Sequence, residues 1–169
     1  MESTVQERPS GTLRERPPGT EWVNEGLMHR PFPDLKVGER FISRGRTITE
    51  ADVVSFAALT GDFHPQHTDK VFAERSIFGA RVAHGMLIAS YSMGMVPTSY
   101  VVALRRLRNL VFKRPVYLGD TIHVEATIAD LRPFTEEAGL VTGRWKIVNQ
   151  DAKTVFKLEI EALWRQDWL

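Results

Sequence analysis

A carboxylate and an imidazole stand five residues apart in the segment GDFHPQH, residues 61–67. Asp62 and His67 are residue types that exchange protons with a bound water near neutral pH. Pro65 lies between them and restricts the backbone, so the segment can hold both side chains in one arrangement. The spacing therefore predicts a general acid–base pair acting on a single water molecule.

A second candidate feature is the turn at His84 and Gly85, which opens an apolar segment that ends near Val96. The amide of Gly85 is expected at the start of a helix, where it has no intrahelical acceptor and lies at the positive end of the helix dipole. Such an amide suits a developing oxyanion, and a glycine permits close approach of a substrate. His84 is predicted to cap or orient this helix.

The segment before the acid–base pair carries the signals of a helix. Thr49 and Asp52 have the spacing of a capping box, and apolar residues at 53, 56, 57 and 59 mark one face. Gly61 stands where a left-handed residue is favoured at a helix end. Asp62 is therefore expected directly after a helix, and His67 on the loop beyond it.

Apolar and polar residues alternate with a period of two later in the chain, which predicts strands. Strands are predicted at residues 37–48, 121–128, 141–147 and 156–164. Residues 84–96 are apolar almost all round and are predicted to form a buried helix. Residues 104–112 fit a helix or a strand by pattern alone. The order of strand, helices and then antiparallel strands predicts an α+β fold with the sheet curled around a central helix.

The composition sets the class of protein. The chain has 169 residues, is 43% hydrophobic, and carries 22 basic and 21 acidic residues with no cysteine. The balanced charge does not favour binding to nucleic acid or to a membrane surface, and the lack of cysteine excludes disulfides and thiolate chemistry. No secretory signal or membrane-spanning run is visible, so a cytoplasmic protein is expected. Residues 1–34, rich in proline and glycine, are predicted to be a flexible or extended tail before a single domain over 35–169.

Three segments carry a resemblance to a known family. GDFHPQH resembles the Gly-Asp-x-Asn-Pro-x-His signature of the MaoC-like, (R)-specific enoyl-CoA hydratases. AHGML at 83–87 resembles the start of their central helix, and RPVYLGDT at 114–121 resembles the turn after their second strand. The resemblance implies a hotdog fold, in which an antiparallel sheet wraps a buried helix, and it implies that residues 104–112 form a strand. It also implies a homodimer or higher homo-oligomer, usually with one continuous sheet.

The resemblance further implies (R)-specific hydration of trans-2-enoyl thioesters, or the reverse dehydration, without a cofactor or a metal. The substrate would be a thioester of coenzyme A or of an acyl carrier protein. Asp62 and His67 take the catalytic positions and Gly85 the oxyanion position, with His84 and His64 in the substrate-binding region. Two positions depart from the family: His64 replaces the asparagine of the signature, and Met93 stands where a serine is common.

Other functions remain open at this point. A hotdog thioesterase generally places a carboxylate on the central helix, and residues 84–96 contain none. A non-catalytic partner subunit would not need both Asp62 and His67. A zinc site would draw on these two residues together with His64 and His84.

The basic and sulfur-containing residues also have two interpretations each. Arg105, Arg106 and Arg108 could bind the phosphates of the carrier, or they could form a solvated strand face. The methionines at 86, 93 and 95 are predicted to be core packing, although some could line an acyl tunnel.

Overall fold

The computed structural model describes residues 29–97 and 99–167, which form four α-helices and six strands after a short 3₁₀ helix at Phe32–Asp34. The helices are α1 (Glu50–Thr60), α2 (Pro65–Thr68), α3 (Lys70–Glu74) and α4 (Gly85–Gly94). The strands are β1 (Arg40–Ile42), β2 (Arg46–Thr47), β3 (Val101–Phe112), β4 (Thr121–Pro133), β5 (Ala138–Asn149) and β6 (Thr154–Arg165). Most of the tail predicted over 1–34 lies outside the described residues.

The strands form one antiparallel sheet in the order β1-β4-β5-β6-β3, and β2 also pairs with β4. The predicted alternation is confirmed in β4, where Ile122, Val124 and Ala126 are buried in turn. Residues 104–112, ambiguous by pattern, lie in strand β3, which pairs with β6 along its length. Hydrogen bonding to the distant strand β6 determines this conformation, and the local pattern of residues 104–112 does not reveal that pairing.

Helix α4 supplies the centre of the core. Its residues Leu87, Ile88 and Ala89 are buried and belong to the same hydrophobic cluster as the inward residues of the sheet. The Ser92 hydroxyl, fully buried, donates to the Ala89 carbonyl (2.6 Å) and so leaves no unpaired polar group on the helix interior. No helix in the described part of the chain has the length and apolar character of a membrane span.

Helix α1 begins and ends as the sequence predicts. The Asp52 amide donates to the Thr49 hydroxyl, the Asp52 carboxylate accepts from the Thr49 amide (2.7 Å), and Gly61 closes the helix with a left-handed φ of 76°. The predicted apolar face is wrong at one position, because Leu59 is 83% exposed. The buried residues of this helix are Val53 and Ala57, one turn apart.

The described end of the predicted tail packs on the sheet. The indole of Trp164 donates to the Arg30 carbonyl (2.8 Å), and Phe32 packs against the hydrophobic core. A Cβ added at Gly139 would lie 2.2 Å from the Phe32 ring, so strand β5 needs a glycine at this crossing.

Asp52 ties α1 to β2 and to α4. Its carboxylate accepts hydrogen bonds from the Tyr91 hydroxyl on α4 and from Arg46 at 3.0 Å, in addition to Thr49. The Arg46 guanidinium also lies 3.7 Å from the centre of the Tyr91 ring. Burial alone would raise the pKa of Asp52, but the hydrogen bonds from Tyr91, Thr49 and Arg46 outweigh it and hold the pKa well below its usual range.

We expect Asp52→Ala to lower the free energy of unfolding by about 1–3 kcal/mol at neutral pH, because it removes a cap and leaves the Tyr91 hydroxyl unpaired. Since the folded pKa is depressed, the ionised carboxylate stabilises the fold above the unfolded value near 3.8, and this contribution declines as the pH falls toward the folded pKa. Urea unfolding should therefore show a difference between the two proteins that shrinks on acidification. Glu74→Ala, which removes an exposed ion pair with Lys70, is the control and should change stability little.

Candidate active site

The loop after α1 and the short helix α2 hold the predicted acid–base pair. The Asp62 carboxylate accepts from the His64 amide (3.3 Å), and the His67 amide donates to the His64 carbonyl (2.9 Å). Pro65 is the first residue of α2, a position that requires no amide hydrogen. His67 was expected on a loop and instead lies on this helix, four residues long, because Pro65 and the His64 cap begin a helical turn there.

His67 has a defined proton arrangement. Its Nδ1 lies 2.7 Å from the Val82 carbonyl oxygen, which can only accept, so Nδ1 carries the hydrogen and Nε2 of the neutral ring keeps a lone pair. Burial lowers the pKa of His67 below its ordinary 6.5, and this outweighs the opposing effects of the Val82 hydrogen bond and of Asp62. The ring is therefore neutral near pH 7 and can accept a proton at Nε2.

His84 lies beneath this pair and is 2% exposed. Its ring stacks on that of His67 with 3.8 Å between the centroids, and its Nε2 donates to the Asp62 main-chain carbonyl at 3.0 Å. His84 occupies the N-cap position of α4, but its side chain makes no capping hydrogen bond to the helix, so of the two predicted roles, capping or orienting, the side chain can fill only the second. It joins the loop of Asp62 to the start of α4, and its Nδ1 is buried without a partner among the described residues.

Gly85 is the first residue of α4, and its amide has the position expected of an oxyanion donor. A Cβ added there would lie 2.8 Å from the ring of Phe112, the last residue of β3. The Phe112 ring stacks on Phe156, with 5.0 Å between centroids. A glycine is therefore required where the helix start meets the edge strand.

These residues share one cleft. Asp62, His64, His67, His84 and Gly85 all line it. The rest of the lining is mostly apolar and includes Phe56, Phe78, Met86, Ile88, Phe112, Val116 and Phe156, and residues 113–115 add two cationic side chains, Lys113 and Arg114. Sequence reasoning did not single out Lys113 and Arg114 as cleft residues, although Arg114 begins the segment that resembles the family turn and Lys113 precedes it.

The arginines considered for phosphate binding lie elsewhere. Arg105 is 3.5 Å from the Glu161 carboxylate and Arg108 is 4.0 Å from Glu159, and none of the three arginines lines the cleft. Glu161 was predicted on a polar strand face, but it is 5% exposed because it also contacts Arg132 at 3.1 Å. Ion pairing across the sheet therefore accounts for the side chains of Arg105, Arg108 and Glu161.

The methionines divide between core and surface. Met93 and Met95 pack against the hydrophobic core, as predicted, while Met86 is half exposed and lines the cleft. Met93 also borders a separate apolar cavity near the end of α4, together with Val96, Trp145 and Trp164.

A zinc site is the alternative use of these residues. One donor atom each of Asp62, His67 and His84 lie within 4.8 Å of one another. A metal ion lies in the plane of an imidazole that binds it, whereas the His67 and His84 rings stack face to face with 29° between their planes. Each ring also bonds one carbonyl, as histidine ligands of metals do, so it is the stacking of the two rings that favours proton transfer over coordination.

Comparison with known proteins gives the family. A family model described as MaoC like domain matches residues 35–149. Protein MaoC of Klebsiella aerogenes is 37% identical over 145 residues, which cover 76% of this chain and 43% of that protein, so the chain spans less than half of that relative. A protein named (R)-specific enoyl-CoA hydratase from Rhodospirillum rubrum is 36% identical over 111 residues, 64% of this chain and 76% of that protein.

Solved structures agree with this placement. The R-hydratase PhaJ1 from Pseudomonas aeruginosa, in its unliganded form, superposes with a TM-score of 0.67 at 29% identity and covers 81% of this chain and 86% of that one. A Mycobacterium tuberculosis protein described as a double hotdog fold gives a TM-score of 0.75 at 21% identity over 82% of this chain and 44% of that one, which supports the fold alone. The antiparallel sheet, the buried helix α4 and these matches lead to one conclusion: the chain has the hotdog fold and belongs to the MaoC-like domain family.

Proposed function

We propose that this protein is a hydro-lyase that adds water across the double bond of trans-2-enoyl thioesters, or removes it from 3-hydroxyacyl thioesters. The observation that carries the proposal is the cleft in which Asp62, His67 and the start of α4 at Gly85 meet. The relative named (R)-specific enoyl-CoA hydratase supports the same reaction and the (R) configuration of the product.

The acid–base pair would act on one water molecule. The neutral His67 ring offers a lone pair at Nε2. The Asp62 carboxylate, with an oxygen within 4.8 Å of a ring nitrogen of His67, offers a second acceptor. One group takes a proton from the water as its oxygen bonds to C3, and the pair returns a proton to C2, so the addition is balanced. General acid–base catalysis of this kind contributes about 10²–10⁴ in rate.

The thioester oxygen would be stabilised by the Gly85 amide. Negative charge develops on this oxygen when the hydroxyl adds to C3, and the amide at the start of α4 can donate to it. The apolar lining of the cleft suits an acyl group, and the cationic Lys113 and Arg114 suit an anionic carrier, either coenzyme A or an acyl carrier protein. His84 and His64 would position the loop. The cytoplasmic location stays a prediction from the sequence.

Asp62→Asn should reduce the rate of hydration of a short trans-2-enoyl-CoA by about 100-fold or more, because the amide cannot accept a proton. The measurement is the loss of the conjugated thioester absorbance. Asp151→Asn, in an exposed turn, is the matched control and should keep the wild-type rate. Normal turnover by the Asp62 variant would refute the site assignment.

The same assay separates hydration from thioester hydrolysis. Helix α4 carries no carboxylate in the structure, whereas hydrolases of this fold generally use one there. We therefore expect no release of free thiol while the double bond is lost. Thiol release with an intact double bond would instead identify a thioesterase.

The acid limb of kcat/KM for hydration should have its midpoint below pH 6.5. Burial lowers the pKa of His67, so the ring stays neutral and able to accept a proton to lower pH than an exposed histidine. The same shift affects stability. Between the folded and unfolded pKa values of His67, the unfolded chain binds more protons than the folded chain. The free energy of unfolding therefore falls as the pH drops below about 6.5. NMR titration of the His67 ring measures the pKa directly, and a value above 6.5 would contradict this assignment.

We further propose that the protein forms a homodimer through strand β3. This strand pairs only with β6 among the described strands, which leaves its other edge open, and the side chains of Val102, Leu104, Leu107 and Val111 are exposed. An open edge with apolar side chains is a surface that a second strand covers. A second copy paired edge to edge would continue the sheet.

Leu107→Asp should shift the protein toward a single chain in solution, because it places a charge on this edge. Light scattering after size-exclusion chromatography measures the mass. Val54→Asp, an exposed apolar position on α1, is the control and should leave the mass unchanged. A Leu107→Asp protein with the wild-type multimeric mass would rule out this interface.

A further inference from the structure

We propose that His64 is a positioning residue: its neutral imidazole caps helix α2 and thereby holds Asp62 and His67 in their catalytic arrangement, and its protonation releases that arrangement. The inference rests on the proposed function for the identity of the reaction. The hydrogen bonds that carry it are independent of the reaction.

His64 is bonded to both members of the acid–base pair. Its amide donates to the Asp62 carboxylate (3.3 Å), and its carbonyl accepts from the His67 amide (2.9 Å). Its side chain then accepts at Nδ1 from the Gln66 amide at 3.2 Å, which makes His64 the N-terminal cap of α2. His64 therefore positions the backbone that carries Asp62 and His67, the two proposed proton-transfer residues.

This cap depends on the protonation state of the ring. Nδ1 can accept from the Gln66 amide only while it carries a lone pair. In the imidazolium form both ring nitrogens carry hydrogens, so an N–H group would face the N–H group of Gln66. The cap is then lost and the two donors repel each other. A capping asparagine would accept through its carbonyl oxygen at every pH.

The His64 ring has aromatic, titratable and charged neighbours. The His67 ring lies 6.2 Å away, centroid to centroid, and the Phe72 ring of α3 meets the His64 ring edge-on at 6.1 Å. Asp62, His84, Lys113 and Arg114 line the same cleft. The pH profile of kcat/KM for any one protein therefore combines the effects of several groups. A comparison between variants that differ only at residue 64 isolates the contribution of His64.

The kinetic test compares wild type, His64→Asn and His64→Ala between about pH 8 and pH 5, where imidazoles titrate. At pH 8 we expect kcat/KM of His64→Ala to fall about five- to tenfold, and His64→Asn to recover most of this loss, because asparagine caps helices well. On acidification, kcat/KM of the wild type should fall further than that of His64→Asn, because protonation of His64 removes the cap in the former, while protonation of His67 affects both proteins. Equal declines in these two proteins would overturn the inference.

A second readout does not depend on activity. The ¹H–¹⁵N signal of the Gln66 amide should shift with pH in the wild type, as its acceptor is lost, and should stay constant over the same range in His64→Asn. A Gln66 signal that titrates equally in both proteins would also overturn the inference. If Asp62→Asn were fully active while the Gln66 signal behaved as expected, the proposed function would fail and the pH-dependent cap would stand.

Discussion

The contact between His84 and the segment of Asp62 and His67 is the constraint on which the cleft depends. The His84 ring stacks on His67 and donates to the main-chain carbonyl of Asp62, while its own backbone begins helix α4. One buried side chain thus connects Asp62 and His67 to the first amides of the helix. Because Leu87 and Ile88 pack α4 into the hydrophobic core, the loop is attached to a rigid part of the structure.

The backbone amides and carbonyls around the loop complete this arrangement. Val82 accepts from His67, and Arg81 donates to the His67 carbonyl at 2.7 Å while its guanidinium pairs with Glu50 of α1. Gln66, buried on the inner side of α2, donates to the Ala80 carbonyl. The strand-like segment before α4 therefore fixes the position of α2, and His84 fixes the loop that precedes α2. Such a supporting set of hydrogen bonds is what a proton-transfer site needs to keep its geometry.

Local signals in the sequence predicted the elements that local interactions determine. The capping box at Thr49, the left-handed Gly61 and the alternation in β4 were predicted because each depends on residues close in sequence. Asp62, His64, His67, His84 and Gly85 were all singled out, and the structure brings them into one cleft.

The remaining features depend on contacts between distant parts of the chain. Glu161 is buried because Arg132 of another strand reaches it, and Arg105 faces that carboxylate rather than the cleft. Leu59 is exposed because tertiary packing determines which face of α1 meets the core. The weak apolar periodicity of this helix does not predict that face. The tautomers of His67 and His84 follow from carbonyls at Val82 and Asp62, and only coordinates give these partners.

The unpaired Nδ1 of His84 has a consequence for how the fold is balanced. A buried nitrogen that receives no hydrogen bond from the protein is disfavoured relative to an apolar atom of the same shape, by about 1–3 kcal/mol where no water reaches it. Proteins tolerate such a deficit at sites where a polar group has a task that an inert ring cannot perform. The ring of His84 thus supplies a stacking contact and a carbonyl hydrogen bond at the expense of leaving its second nitrogen unused.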